Sequence, residues 1–140
     1  MSDPDPHQPV VLIDDRQDLP VDEDHLSRLA REALRGEGVV TGELSVSFVT
    51  PQEMADLHVR YTGEEGPTDV LSFPQDDDRL LGDVVICPAE AADNNPDVEA
   101  ELRLLLVHGI LHLLGYDHEE DTDRAQMWAR QEHYSGVSAP

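Results

Sequence analysis

The chain has 140 residues, a length that fits one domain able to bury a core without disulfides. Its 31 acidic and nine basic residues give a net charge of −22, which excludes nucleic-acid binding driven by overall charge. The single cysteine excludes an internal disulfide framework, and with no signal peptide visible it favours a cytoplasmic location. The longest apolar run, at 104–114, is too short and too polar to span a bilayer, so no membrane partner is expected.

Hydrophobic periodicity predicts strands and helices between a loose segment at 1–9 and a tail at 135–140. The predicted elements are a strand at 10–13, a helix from 22–24 to 36, a strand at 44–48, a helix from 51 to about 61, strands at 70–73 and 83–87, a long helix opened by Asn95 and Pro96, and a last helix at about 122–134. The short polar link between the third and fourth strands predicts an antiparallel pair. Residues 10–134 are therefore expected to form one α+β domain, in which a small mixed sheet of about four strands packs with helices around a buried central helix.

The clearest chemical signal is the segment HGILHLLGYDH at 108–118, on the predicted central helix. His108 and His112 lie one helical turn apart on one face, so both imidazoles can reach the same Zn²⁺. Gly115 permits a sharp turn after the helix, which would bring His118 back as a third ligand. A lone histidine on an apolar face is usually a core residue with one hydrogen bond. Three at this spacing favour one Zn²⁺ per chain, with a fourth coordination position left open as in catalytic sites.

The same spacing occurs in the HExxHxxGxxH motif of the metzincin proteases. In those enzymes the glutamate after the first histidine is the general base, and here Gly109 occupies that position. Peptide hydrolysis is therefore disfavoured, although a base supplied from elsewhere in the chain stays an alternative.

Other residues near the motif are candidates for further roles. Asp117 and Glu119 are candidate proton acceptors by spacing, and Asp117 is interpreted first as a residue that orients a ligand imidazole. Ser72 could present its hydroxyl to the cleft, but an ordinary strand serine is the simpler interpretation. Cys87 lies in an apolar strand, so we interpret it as a small core residue rather than a fourth ligand.

Three sequence blocks resemble the YbeY family of rRNA maturation endoribonucleases, and the resemblance covers roughly residues 10–134. In chain order they are PTDVLSFP at 67–74, LGDVVIC at 81–87 and HGILHLLGYDH at 108–118. Met127 and Glu132 also suit the last helix of that family.

The resemblance implies a cytoplasmic, bacterial, zinc-dependent hydrolase that cuts single-stranded RNA. It also implies maturation of the 3′ end of 16S rRNA and a part in ribosome quality control. By the same resemblance, His108, His112 and His118 are the metal ligands. Single-stranded rRNA and the ribosome or its proteins are then the expected partners, and DNA is not. In the mechanism we favour, water activated by the metal attacks a phosphodiester.

One position departs from the family pattern. The family often carries an arginine after the tyrosine of its second helix, thought to serve RNA binding or catalysis, whereas Thr62 follows Tyr61 here. Arg60 is the nearest base, but two positions on a helix are about 200° apart, so it can substitute only if the helix has already ended. Arg60 is therefore a candidate catalytic residue, and a surface arginine is an equally simple interpretation.

Two other classes of function stay open on the sequence alone. One is another zinc hydrolase, such as a peptidase. The other is a non-catalytic ribosome assembly factor whose zinc only holds the fold. The acidic composition favours the assembly factor over another zinc hydrolase, because basic ribosomal proteins would be attracted to an acidic protein.

Overall fold

The computed structural model describes residues 9–66, 68–75, 77, 79–116 and 121–137. Its elements, in chain order, are β1 (Val10–Asp15), α1 (Glu23–Gly36), β2 (Glu43–Phe48), α2 (Pro51–Thr62), β3 (Val70–Pro74), β4 (Leu80–Ile86), α3 (Pro88–Asn94), α4 (Val98–Leu113) and α5 (Asp121–Ser135). Within these residues no helix is both long and apolar enough to cross a membrane. The element order confirms the predicted α+β class.

The four strands form one mixed sheet in the order β1-β2-β4-β3. Strand β2 runs parallel to both β1 and β4, while β3 runs antiparallel to β4. The antiparallel pair was predicted from its short connection, and α1 makes the crossover that the parallel β1–β2 pair requires.

The two faces of the sheet carry different helices because side chains alternate along each strand. Val84 and Ile86 of β4 point into the main core with the apolar residues of α1 and α4. Val85, between them, points to the other face, where it joins Met54 of α2 and Cys87 in a smaller cluster. Cys87 is fully buried, which confirms its interpretation as a core residue.

Helix α4 is buried nearly all round, and it packs against α1, α3, α5, β3 and β4. This confirms the predicted buried central helix. The predicted start of that helix was wrong. Asn95 is the C-cap of α3, and α4 begins at Val98, after Asp97, whose side chain accepts a hydrogen bond from the Ala100 amide at 3.1 Å.

Helix α3 was not predicted at all. It buries only Pro88 and Ala91, so its sequence shows no apolar period, and it has no side-chain cap at its start. Helix α5 ends at Ser135, one residue beyond the predicted limit. Ser135 is buried, and its hydroxyl donates to the Gln131 carbonyl at 2.6 Å.

Candidate metal centre and adjoining cavity

His108 and His112 lie side by side on α4, as their spacing predicted. Their Nε2 atoms are 3.1 Å apart, and their ring centroids are separated by 4.6 Å. Two nitrogens bound to one tetrahedral Zn²⁺ at about 2.0–2.1 Å lie roughly 3.3 Å from each other. The pair therefore fits a shared metal ion with little rearrangement.

Gln131 of α5 fixes the orientation of His108. Its Oε1 atom lies 2.7 Å from the His108 Nδ1, and the side chain is almost fully buried. An amide oxygen only accepts, so Nδ1 donates the hydrogen and the lone pair of a neutral ring is left on Nε2, facing His112. This is the usual arrangement behind a metal-binding histidine. Gln131 was not predicted from the sequence, although it lies four positions, about one helical turn, after the buried Met127 and so on the same helix face.

Gly109 faces the sheet rather than the imidazoles. A Cβ atom at this position would lie 2.7 Å from Val84 Cγ1 and 3.2 Å from Ser72 Oγ. The Ser72 hydroxyl donates to the Gly109 carbonyl at 3.0 Å, so this serine links β3 to α4. The position of the metzincin glutamate is thus occupied by a close helix–sheet contact, with no room for a catalytic base.

The third predicted ligand, His118, lies outside the described residues, as do Asp117 and Glu119. Among the residues that are described, no three His, Cys, Asp or Glu side chains are grouped to hold a metal ion. The three-histidine site therefore stays a prediction that rests on the motif and on the observed pair.

Arg60 is exposed near the end of α2. The helix continues through Thr62, whose hydroxyl donates to the His58 carbonyl at 2.7 Å, and it is capped by Gly63 in the left-handed conformation. The condition under which Arg60 could replace the family arginine, an earlier helix end, is not met. Its catalytic role stays a prediction.

Two openings adjoin at His108. The first, which we call the histidine groove, has a volume of about 470 Å³ and is lined by both histidines with Asp69, Val70 and Ser72. The second, which we call the side cavity, has a volume of about 550 Å³ and lies between α4, α5 and the start of β3. His108, Asp69 and Val70 line both openings.

The side cavity contains a buried carboxylate, Glu101 of α4, which is only 9% exposed. The amide of Asn94 lies 3.1 Å from Asp69 Oδ2 and 3.4 Å from Glu101 Oε2, so it bridges the two acids. Burial raises the pKa of Glu101; the Asn94 hydrogen bond opposes this rise and the nearby Asp69 charge adds to it.

A second buried carboxylate, Glu37, lies just after α1. The hydroxyls of Tyr116 and Tyr134 donate to its two oxygens, and Arg130 lies 3.8 Å away. Burial acts to raise the pKa of Glu37, but the two hydrogen bonds and the arginine outweigh it and lower the pKa. The cluster ties the end of α1 to α5 and to the residue that precedes segment 117–120.

Comparisons with known proteins agree on one family. The family model described as Endoribonuclease YbeY matches residues 12–136. A Frankia casuarinae protein with that name is 50% identical over 130 residues, which are 79% of this chain and 65% of the relative, just under two thirds of its length. A Thermobifida fusca protein of the same name is 47% identical over 131 residues, covering 81% of this chain and 83% of the relative.

A solved structure gives the same result for the fold. The solution structure of TM1509 from Thermotoga maritima superposes with a TM-score of 0.60 at 30% identity, covering 90% of this chain and 87% of that one. The likeness extends over nearly the whole chain rather than over the histidine segment alone.

Proposed function

The chain belongs to the endoribonuclease YbeY family, and we propose that it is a zinc-dependent enzyme that cleaves within single-stranded RNA. We further propose that it acts in the cytoplasm on the ribosome, in 16S rRNA 3′-end maturation and quality control. The observation that supports the chemistry best is the pair of imidazoles with Nε2 atoms 3.1 Å apart. The family resemblance supports the substrate.

In this proposal His108 and His112 bind the ion from one helix face, and His118 completes the set. A bound Zn²⁺ supplies Lewis-acid chemistry, making water a nucleophile near neutral pH and polarising a phosphoryl oxygen. Gln131 holds the His108 ring in the tautomer that leaves Nε2 free of hydrogen. Asp117, next to the third ligand, is proposed to orient that imidazole.

The histidine groove is lined by residues of β3 as well as by both histidines, so a phosphodiester bound at the histidine pair would lie beside this strand. The proposed preference for single-stranded RNA rests on the family resemblance. The net charge of −22 repels RNA at long range, and the metal is the local positive charge that the proposal requires. A ribosomal protein of basic charge would help to deliver the enzyme to its RNA.

The test combines metal content with RNA cleavage in the purified full chain. We expect about one Zn²⁺ per chain and chelator-sensitive cleavage of a single-stranded RNA, with the duplex form resistant. His108→Ala, His112→Ala and His118→Ala should each lose metal and activity. His25→Ala, a matched change at a partly exposed histidine that contacts Glu99, should lose neither. Full zinc occupancy in His118→Ala would contradict the three-ligand assignment.

The acidic composition also supports a second candidate, a non-catalytic assembly factor that binds basic ribosomal proteins. The same assay separates the two. Zinc-loaded protein that cuts no single-stranded RNA but binds basic ribosomal proteins would favour the assembly factor. The close packing at Gly109 disfavours a peptidase, because it leaves no room for the glutamate base of the protease motif. Chelator-sensitive cleavage of casein that is lost in His112→Ala would instead support a peptidase.

A further inference from the structure

The side cavity lies beside the histidine pair but is not needed to hold a metal. His108 lines both the side cavity and the histidine groove, so a group in the cavity lies near the groove in which a phosphodiester would lie. Its volume of about 550 Å³ is within the usual range for small-ligand sites, and it is large enough for a nucleobase with part of its sugar.

Two kinds of surface line the cavity. Val70, Leu104 and Leu105 are apolar, and the Trp128 ring lies 6.0 Å from the His108 ring, centroid to centroid. Asp69 and Glu101 belong to the same lining and supply carboxylate oxygens, which are acceptors when ionised. A flat group with apolar faces and hydrogen-bond donors on one edge matches this lining.

We propose that the side cavity binds the base of a nucleotide adjoining the cleaved phosphodiester, and that it selects guanine. This rests on the proposed RNA cleavage. The base would lie against Trp128, and its edge would donate to the Glu101 carboxylate. Base stacking on aromatic side chains and hydrogen bonds to base edges are the common means by which single-stranded RNA is read.

Guanine fits best because its Watson–Crick edge carries two neighbouring donors, N1–H and the N2 amino group. A carboxylate can accept both at once, as it does from the paired donors of arginine. The same edge of uracil has one donor between two carbonyl oxygens, which a carboxylate repels. A phosphate is excluded for the same reason, since Asp69 and Glu101 would place negative charge against it.

The first experiment uses nucleosides and needs no cleavage. Trp128 is the only tryptophan, so its fluorescence reports directly on the cavity. We expect guanosine to change the emission of the zinc-loaded full chain saturably, and to bind about tenfold more tightly than uridine. Glu101→Gln should remove that preference. Glu99→Gln, the same change on the first turn of α4 but outside the cavity lining, should keep it.

A second variant and a stability measurement distinguish a loss of guanosine binding from a loss of folding. Asp69→Asn should weaken guanosine binding less than Glu101→Gln, because Asp69 lines both openings whereas Glu101 lines the side cavity alone. The urea midpoint of each variant is measured alongside. Guanosine and uridine binding alike, or a folded Glu101→Gln that keeps the preference, would overturn the proposal.

The second experiment uses RNA and separates this proposal from the proposed activity. Oligouridines carrying one guanosine at successive positions should be cut about tenfold faster when the guanosine adjoins one fixed side of the cleaved bond. Cleavage that is indifferent to guanosine position would leave the endoribonuclease activity standing and overturn the base site. Guanosine binding that depends on Glu101, in a protein that cuts no RNA, would support the base site and refute the activity.

Discussion

Two buried carboxylates contact different kinds of neighbours. Glu37 has a side chain only 7% exposed and accepts hydrogen bonds from Tyr116 and Tyr134, with Arg130 close by. Glu101 is also buried, yet the hydrogen bond found for its carboxylate among the described residues is one of 3.4 Å from Asn94. The protein thus satisfies one buried acid with its own groups and leaves the other facing a cavity.

The pKa shifts have opposite directions for this reason. The tyrosine hydrogen bonds lower the pKa of Glu37 despite its burial, whereas burial raises the pKa of Glu101 because the hydrogen bond from Asn94 does not compensate. A buried charge with a full set of donors stabilises the fold, and one without them is a cost that a ligand can relieve. Glu37 is therefore a structural acid, whereas Glu101 is the acid that the proposed ligand would contact.

The largest expected effect is on stability, from Glu37→Gln. Glutamine keeps one acceptor oxygen but carries an NH₂ group in place of the other, so one of the two half-buried tyrosine hydroxyls loses its acceptor and the charge beside Arg130 is removed. We expect a loss of about 2–3 kcal/mol in the free energy of unfolding. Glu101→Gln is the matched change, and it should alter stability by less than about 1 kcal/mol. Urea unfolding followed by circular dichroism gives both values. Equal losses would show that Glu101 is also a structural acid.

The contributions of Glu37 and Glu101 to folding stability should change with pH in opposite directions. The lowered pKa of Glu37 means that its stabilisation is present above its ordinary value of 4.5 and is lost as the pH falls through the folded value. The raised pKa of Glu101 acts the other way, since its contribution is favourable below 4.5 and is lost as the pH rises through the folded value.

This sign difference can be measured by urea unfolding at a series of pH values between neutrality and the acid limit of folding. The deficit of Glu37→Gln relative to wild type should shrink on acidification. The stability of Glu101→Gln relative to wild type should instead fall as the pH is lowered. Parallel pH profiles for the two variants would remove the distinction between the acids.

A smaller effect is expected from Tyr134→Phe, which removes one of the two hydroxyls on Glu37. We expect a loss of about 1–2 kcal/mol, because Tyr116 still donates. Burial, followed by the hydrogen bond to Glu37, raises the pKa of Tyr134 to about 12. In wild type its ultraviolet titration should therefore lie near that value, and in Glu37→Gln it should move part of the way back towards 10.0. An unmoved titration would mean that burial alone holds the tyrosine neutral.

The smallest effect should be the coupling between the two acids. Glu37 and Glu101 share no hydrogen-bond or ion-pair partner within the part of the chain that the structure describes. Their stability changes should thus add to within about 0.5 kcal/mol in the double variant. A larger coupling energy, measured in a complete double-mutant cycle, would show that Glu37 and Glu101 interact through a shared network.

What the sequence could predict was local. The periodicity that predicted the strand at 44–48 and the spacing of His108 and His112 are properties of a few consecutive residues, and the structure contains that strand and places the two histidines side by side. Helix α3 was missed because its seven residues carry no apolar period.

The partners of the key side chains could not be predicted, because they come from distant parts of the chain. Gln131 lies 23 residues from His108, and Tyr116 and Tyr134 lie 79 and 97 residues from Glu37. Only tertiary packing brings such pairs together, and a single sequence carries no periodic signal for them.

The close approach at Gly109 also limits which sequences this fold can reach by mutation. The protease motif with the same histidine spacing has a glutamate where this chain has Gly109. At the level of sequence, one substitution would therefore convert this motif into the other. In the protein, the first carbon of any side chain at Gly109 would already lie 2.7 Å from Val84. A glutamate would have to force α4 away from the sheet before it gained a catalytic role. An evolutionary path between the two motifs would therefore need a smaller residue at Val84 first, and the order of the substitutions is set by packing rather than by chemistry.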